Sequence, residues 1–174
     1  MNKRPVSVKE ELKTALTELL KEKPFSEVSV TDLVKEAGVA RASFYRNFSS
    51  TSDVLDEIID DVLLEFSHKV LPVMYSSDEK VWRGFLFEYI DMVRENQRVF
   101  INILTLNAAD VFSRLNDRIQ AYEKALPYEG IRDKYMVASW LGILSNVLRH
   151  WIDTGMEESP EELVEYLMSF IMKI

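Results

Sequence analysis

Apolar residues recur along this chain at intervals of three and four, the period of a helix buried on one face. Val8, Leu12, Ala15, Leu16, Leu19 and Leu20 form one stripe, which stops at Lys23-Pro24 because proline disfavours helical backbone in the residue before it. Val54, Leu55, Ile58, Ile59, Val62, Leu63 and Phe66 form a longer one. The spacing predicts helices over 7–23, 30–37, 41–48, 51–70, 78–95, 97–106, 109–125, 131–154 and 160–173. Val28-Ser29-Val30 alternates as a strand does, but it is too short to build a sheet.

Helix starts carry a second signal, a serine followed three residues later by an acid. Ser7/Glu10, Ser29/Asp32, Ser50/Asp53, Ser76/Glu79 and Ser159/Glu162 all fit, the last with Pro160 at the first helical position. In each pair the serine oxygen takes an orphan amide proton and the acid faces the positive end of the helix dipole. Such pairs, each opening a periodic segment, predict an all-α protein. The expected organisation is an N-terminal group of three helices with a connecting fourth helix over 1–66, followed by a helical region over 67–174.

The segment from Ser29 to Phe48 is the informative one. Two short helices flank a turn that begins at Gly38, where glycine takes the left-handed conformation that ends a helix sharply. Leu33, Val34 and Ala37 on the first helix, Val39 in the turn, and Phe44 and Phe48 on the second face a common core. That is helix-turn-helix construction, whose second helix enters the major groove. Once the core positions are set aside, Arg41, Ala42, Ser43, Tyr45, Arg46 and Asn47 are left for solvent or DNA. Arg41 and Arg46 suit either phosphate or guanine edges, and Ser43 suits bases or backbone. Ala42 is small enough to seat the helix deeply, and the Tyr45 hydroxyl is placed for phosphate. Thr31, in the first turn of the preceding helix, offers a hydroxyl and an amide to phosphate as well. A helix-glycine-helix corner with solvated arginines is the plain alternative. Two Arg and no acid on this short helix weigh against it.

Composition sharpens the picture. The net charge of −8 argues against a nucleic-acid binder until its distribution is seen. Residues 1–52 hold nine Lys or Arg against seven acids, so the remainder carries −10. A mildly basic head on an acidic body is expected when one end meets phosphate. At 47% hydrophobic and 29% charged the chain is expected to fold. It has no cysteine, which removes disulfide and thiolate chemistry, and a cytoplasmic location is expected. Met1 to Pro5 show no apolar signal core, and runs such as Val99 to Leu106 are too short to span a bilayer, so no membrane partner is expected.

Residues 7–66 resemble the DNA-binding region of the tetracycline-repressor (TetR/AcrR) family. The resemblance runs through Leu12 to Leu20, Phe25 to Val30, Asp32-Leu33, Glu36 to Val39, Ser43 to Phe48 and Ser50 to Leu55. It implies a helix-turn-helix DNA-binding domain over 1–66 and a helical ligand-binding and dimerisation domain over 67–174, in a regulator, in this family most often a repressor, that binds a palindromic double-stranded DNA operator as a homodimer. A small hydrophobic or aromatic effector would control it. Two positions depart from the pattern. Ala40 stands where Ser or Thr is usual, so the recognition helix lacks a side-chain cap, a local loss of about 1 kcal/mol. Thr51 stands where Lys is common, keeping a hydroxyl for phosphate but not the charge. Lys3, Arg4 and Lys9 are placed to compensate. The alternative is a coregulator or activator that acts mainly through protein contacts, with weak DNA binding.

In the C-terminal two thirds, Trp140, Leu144, Val147, Trp151, Leu167 and Phe170 exceed what one small core needs and suggest half of an intersubunit four-helix bundle. Intramolecular packing is the competing reading. Trp82, Tyr89, Met92, Phe100 and Tyr135 offer an aromatic and thioether lining for an effector, although such a stripe is more often core. His68 and His150 lack partners at metal-ligand spacing, and no phosphate loop, nucleophile motif or zinc signature occurs. Neither a metal, a cofactor nor an enzymatic activity is expected.

Overall fold

The computed structural model describes residues 7–74, 76–102, 113–114, 117 and 131–171. Its elements are α1 (Val8–Glu22), a 3₁₀ turn (Phe25–Glu27), α2 (Val30–Glu36), α3 (Arg41–Asn47), α4 (Thr51–Met74), α5 (Glu79–Glu95), α6 (Ile131–Asp153) and α7 (Pro160–Ile171). Residues 97–102 are helical as well, and the described residues hold no strand. The helix expected over 109–125 lies almost wholly outside the described residues.

The chain divides into two compact units, Met1–Val62 and Leu63–Ile174, so the division falls within α4. In the first, α1 packs on α2 and α3, and α2 packs on α3. Leu12, Leu16, Leu20, Leu33, Phe44 and Val54 are fully buried there. Each such side chain contributes about 1.5–3 kcal/mol by leaving water. In the second unit α5 packs on α7. Its core holds Phe66, Trp82, Phe85, Ile90, Trp140, Trp151 and Leu167. Arg83 ties α5 to α7 through Glu165, while Glu79 on its own helix holds it from the other side.

Four of the serine starts form as expected. The Ser7 oxygen accepts from the Glu10 amide, and full reciprocal boxes close at Ser29/Asp32, Ser50/Asp53 and Ser159/Glu162. The fifth does not. Asp78 caps α5, accepting from the Lys80 amide at 2.8 Å, while the Ser76 hydroxyl accepts from the Asp78 amide. The cap falls to the carboxylate two residues on, which meets a first-turn amide with a full charge, and the serine is left to bond the amide of Asp78 itself. Helix α4 runs four residues past its expected end at 70 and takes in Pro72. Proline in a final turn forfeits a single backbone bond and leaves the preceding turns intact.

Candidate nucleic-acid interface

The turn between α2 and α3 is closed by its own backbone. Gly38 sits at φ +66°, its amide donates to the Lys35 carbonyl, and the Val39 amide donates back to Val34 at 3.1 Å. This pairing satisfies two carbonyls that the end of α2 would otherwise leave open. At the other end of the turn Ala40 is extended (φ −69°, ψ 142°) with no side-chain bond, and only its carbonyl engages α3, accepting from the Ser43 and Phe44 amides. Phe44 is completely buried and stacks toward Phe48 at 6.2 Å, which fixes the rotation of α3 and turns its other face outward.

That face carries the residues expected from the sequence. Arg41, Ala42, Tyr45 and Arg46 are exposed, as is Thr31 on α2, while Ser43, Asn47 and Thr51 are half-buried. The structure links several of them. Arg41 Nη1 donates to Thr31 Oγ1 and its Nη2 donates to Tyr45 Oη, both at 3.1 Å. The same guanidinium lies 5.5 Å from the centre of the Tyr45 ring. Arg46 Nη2 donates to Ser43 Oγ at 2.8 Å, and the Asn47 amide nitrogen donates to the Ser43 carbonyl at 2.7 Å. The result is a cationic patch of hydroxyls and guanidinium groups without a carboxylate on α3 itself, suited to an acceptor-rich anion.

Around the patch the charges are already spoken for. The amides of Ser49 and Ser50, which open α4 beside Thr51, both donate to Asp53. Bonds from the Ser50 hydroxyl and these amides hold the Asp53 carboxyl below the usual carboxylate range. Lys9 bonds to Glu57 and lies over the Phe48 ring, so it is not the free cation that the sequence suggested. Lys13 bridges Glu10 and Asp61 in the same way. Lys3 and Arg4 lie outside the described residues. A cleft beside the end of α3 is lined by Tyr45 to Ser49 on one side and by Asp53, Asp56 and Glu57 on the other. Sequence reasoning missed this acidic shoulder. Its signal was present as acids at three- and four-residue spacing along one face of α4.

The candidates in the second unit differ in their surroundings. Trp82 is buried against Trp140 with ring centres 4.8 Å apart, and its indole N–H donates to the Ser76 carbonyl. Tyr89 packs on Phe66 and Phe85, and burial pushes its hydroxyl above the usual tyrosine range. Met92 and Phe100 are half-buried, and Tyr135 is exposed. Of the residues expected at a dimer surface, Trp140, Leu144, Trp151 and Leu167 are buried within the chain's own second unit. A side chain already covered by its own protomer has no surface to give a second copy. Val147 is half-buried and Phe170 exposed, the latter in edge contact with exposed Tyr166 at 5.0 Å. His68 and His150 are exposed, and among the described residues no group of His, Cys, Asp or Glu is placed to hold a metal. Nor is any described helix long and apolar enough to cross a membrane.

Comparison with known proteins places this geometry. Residues 12–58 match the family of bacterial regulatory proteins of the tetR type, which are regulators and not enzymes. Several solved structures share the all-helical fold over nearly the whole chain. The fatty acid degradation regulator FadR from Bacillus halodurans superposes with a TM-score of 0.70 at 16% identity, covering 98% of this chain and 97% of that one. The dihydroxyacetone kinase operon activator DhaS gives 0.65 at 17% identity, covering 95% and 94%. SmeT, the repressor of the Stenotrophomonas maltophilia multidrug efflux pump SmeDEF, gives 0.62 at 16% identity, covering 97% and 90%. No curated protein matches the chain.

Proposed function

From a tetR-family N-terminal domain on an all-α chain, we propose a homodimeric transcription repressor that binds a palindromic operator and is controlled by a small hydrophobic or aromatic effector. The observation that carries this reading is the outward face of α3, where Arg41, Ser43, Tyr45 and Arg46 stand without an acid among them. A short recognition helix makes few contacts, so paired half-sites read by two copies supply the affinity. The effector would bind in the second unit, where the packed rings of Phe66, Phe85 and Tyr89 would line a site for an apolar guest. It would act by preferring one spacing of the two heads over another, since equal affinity for both states shifts nothing.

A footprint of the purified protein on DNA flanking its own gene tests the reading. The expected result is a protected dyad, its half-sites centred one or more helical turns apart, with transcription rising when the protein is removed. Absence of protection at low salt would sink it.

A second reading, an activator or coregulator that grips DNA weakly and works through protein contacts, is favoured by specific observations. Ala40 leaves α3 without a side-chain cap, and Lys9 and Lys13 of α1 are held by carboxylates of α4. One similar structure is described as an operon activator. Weak or absent protection by the protein alone, with transcription falling when the protein is removed, would favour this second reading.

A further inference from the structure

Arg41 stands out because both Nη atoms of its exposed guanidinium bond to other side chains of the protein. A guanidinium only donates, so the oxygens of Thr31 and Tyr45 that meet Nη1 and Nη2 must be accepting. Each hydroxyl therefore keeps its own proton to give away. Neither finds an acceptor for it among the described residues. Two O–H donors on two different helices, and the charge of the group that orients them, share one small exposed area. An acceptor-only anion with two free oxygens completes this arrangement, and a backbone phosphodiester is such a group. Hydrogen bonding in series also polarises each hydroxyl toward donation.

Arg41 is correspondingly ill-suited to reading a base. The bidentate approach to guanine uses two adjacent N–H groups of the fork, and the Nη1 and Nη2 ends each hold a protein hydroxyl here. Arg46 differs, since only Nη2 is bound, to Ser43 on its own helix. We infer that Arg41 is a positioning residue that spans α2 and α3 to aim the hydroxyls of Thr31 and Tyr45 at a single DNA phosphate. Base readout then falls to Ala42, Ser43 and Arg46. This rests on the DNA-binding reading above and goes beyond it by separating the roles of the two arginines.

The test uses the full chain and a labelled mixed-sequence duplex, because a phosphate contact does not depend on sequence. Binding is followed by fluorescence anisotropy across a salt series for the wild type, Arg41→Lys, Tyr45→Phe and the double variant. A lysine keeps the charge but, as a point donor, does not hold two hydroxyls at once. Tyr45→Phe is expected to weaken binding about fivefold in the wild type, the scale of one net hydrogen bond. In the Arg41→Lys background the same change is expected to cost less than about twofold, since the hydroxyl is no longer aimed. The log–log salt slope should be unchanged by Arg41→Lys, because the cation remains.

Equal losses from Tyr45→Phe in both backgrounds would overturn the proposal. So would an Arg41→Lys variant that binds the mixed duplex normally while changing preference at one base pair, which would make Arg41 a base reader. Thermal melts of each variant separate a role in folding, which would lower the melting temperature without coupling the two positions. If the wild type shows no salt-dependent binding to the duplex, the DNA-binding reading itself falls. Additive losses in a protein that binds overturn only the role given to Arg41.

Discussion

At the scale of single residues, the start of α2 depends on one carboxylate. Asp32 accepts from the Ser29 hydroxyl at 2.7 Å, the Ser29 amide at 3.0 Å and Lys23 Nζ at 3.0 Å. These bonds, the hydroxyl's first, pull its pKa down to about 2. The sign follows from linkage: a carboxyl whose folded pKa lies below its unfolded value of about 3.9 stabilises the fold above that value. The contribution is lost as pH falls through the folded pKa, so the window lies between about pH 4 and pH 2. Thr31, next to this acid, inherits its position from the cap, which links the carboxylate to the DNA-facing surface. Asp32→Asn keeps an acceptor but removes the charge. Urea unfolding over the acid range is expected to show a shallower decline in stability for this variant than for the wild type within that window. Parallel curves would mean that the carboxylate is not anchored in the folded state.

At the scale of elements, the turn joining α2 and α3 holds two positions whose substitution should act in opposite directions. A Cβ at Gly38 would meet nothing within 4 Å, yet φ there is +66°. Gly38→Ala is therefore resisted by torsion alone, at about 1 kcal/mol. Ala40 is extended and lacks a side-chain cap bond, so Ala40→Ser should add about 1 kcal/mol by offering an oxygen to the first amides of α3. Denaturation midpoints moving oppositely at a constant m-value would verify both. A gain from Gly38→Ala would mean that the turn relaxes out of the left-handed region. These elements were largely legible beforehand, because helical periodicity and Ser-to-acid spacing are local properties of the chain. Gly38, the missing cap at Ala40 and the burial of Phe44 and Phe48 were all readable from it. What escaped depended on groups distant in sequence or on competition within a turn. Lys9 is captured by Glu57, forty-eight residues away, and the cap of α5 falls to Asp78, which takes the Lys80 amide while Ser76 takes that of Asp78. The excess of apolar residues in α6 and α7 was visible, but not that Trp140, Trp151 and Leu167 spend theirs inside the chain.

At the scale of the whole molecule, a mildly basic head must hold DNA while the body beyond residue 52 carries −10. That body repels phosphate over about a Debye length, roughly 8 Å at physiological salt. The nearest cations of α1 are committed to α4. A single head therefore makes few net ionic contacts, and pairing two heads is the direct way to double them. On the proposed homodimer, each copy contributes its own phosphate contacts and the salt slopes add. Phe170 and Tyr166 are the exposed aromatics of α7, and as an unburied side chain Phe170 is replaceable without opening the core. Phe170→Glu is thus expected to leave thermal stability nearly unchanged while converting a dimer to monomer in sedimentation. In the same variant the salt slope for DNA should fall to about half, and affinity should drop by more than the loss of one head's contacts, since the second head no longer binds as part of the same particle. A dimer that survives Phe170→Glu would move the pairing surface away from this end of α7. A monomer that keeps the full slope would mean that one head alone makes all the phosphate contacts.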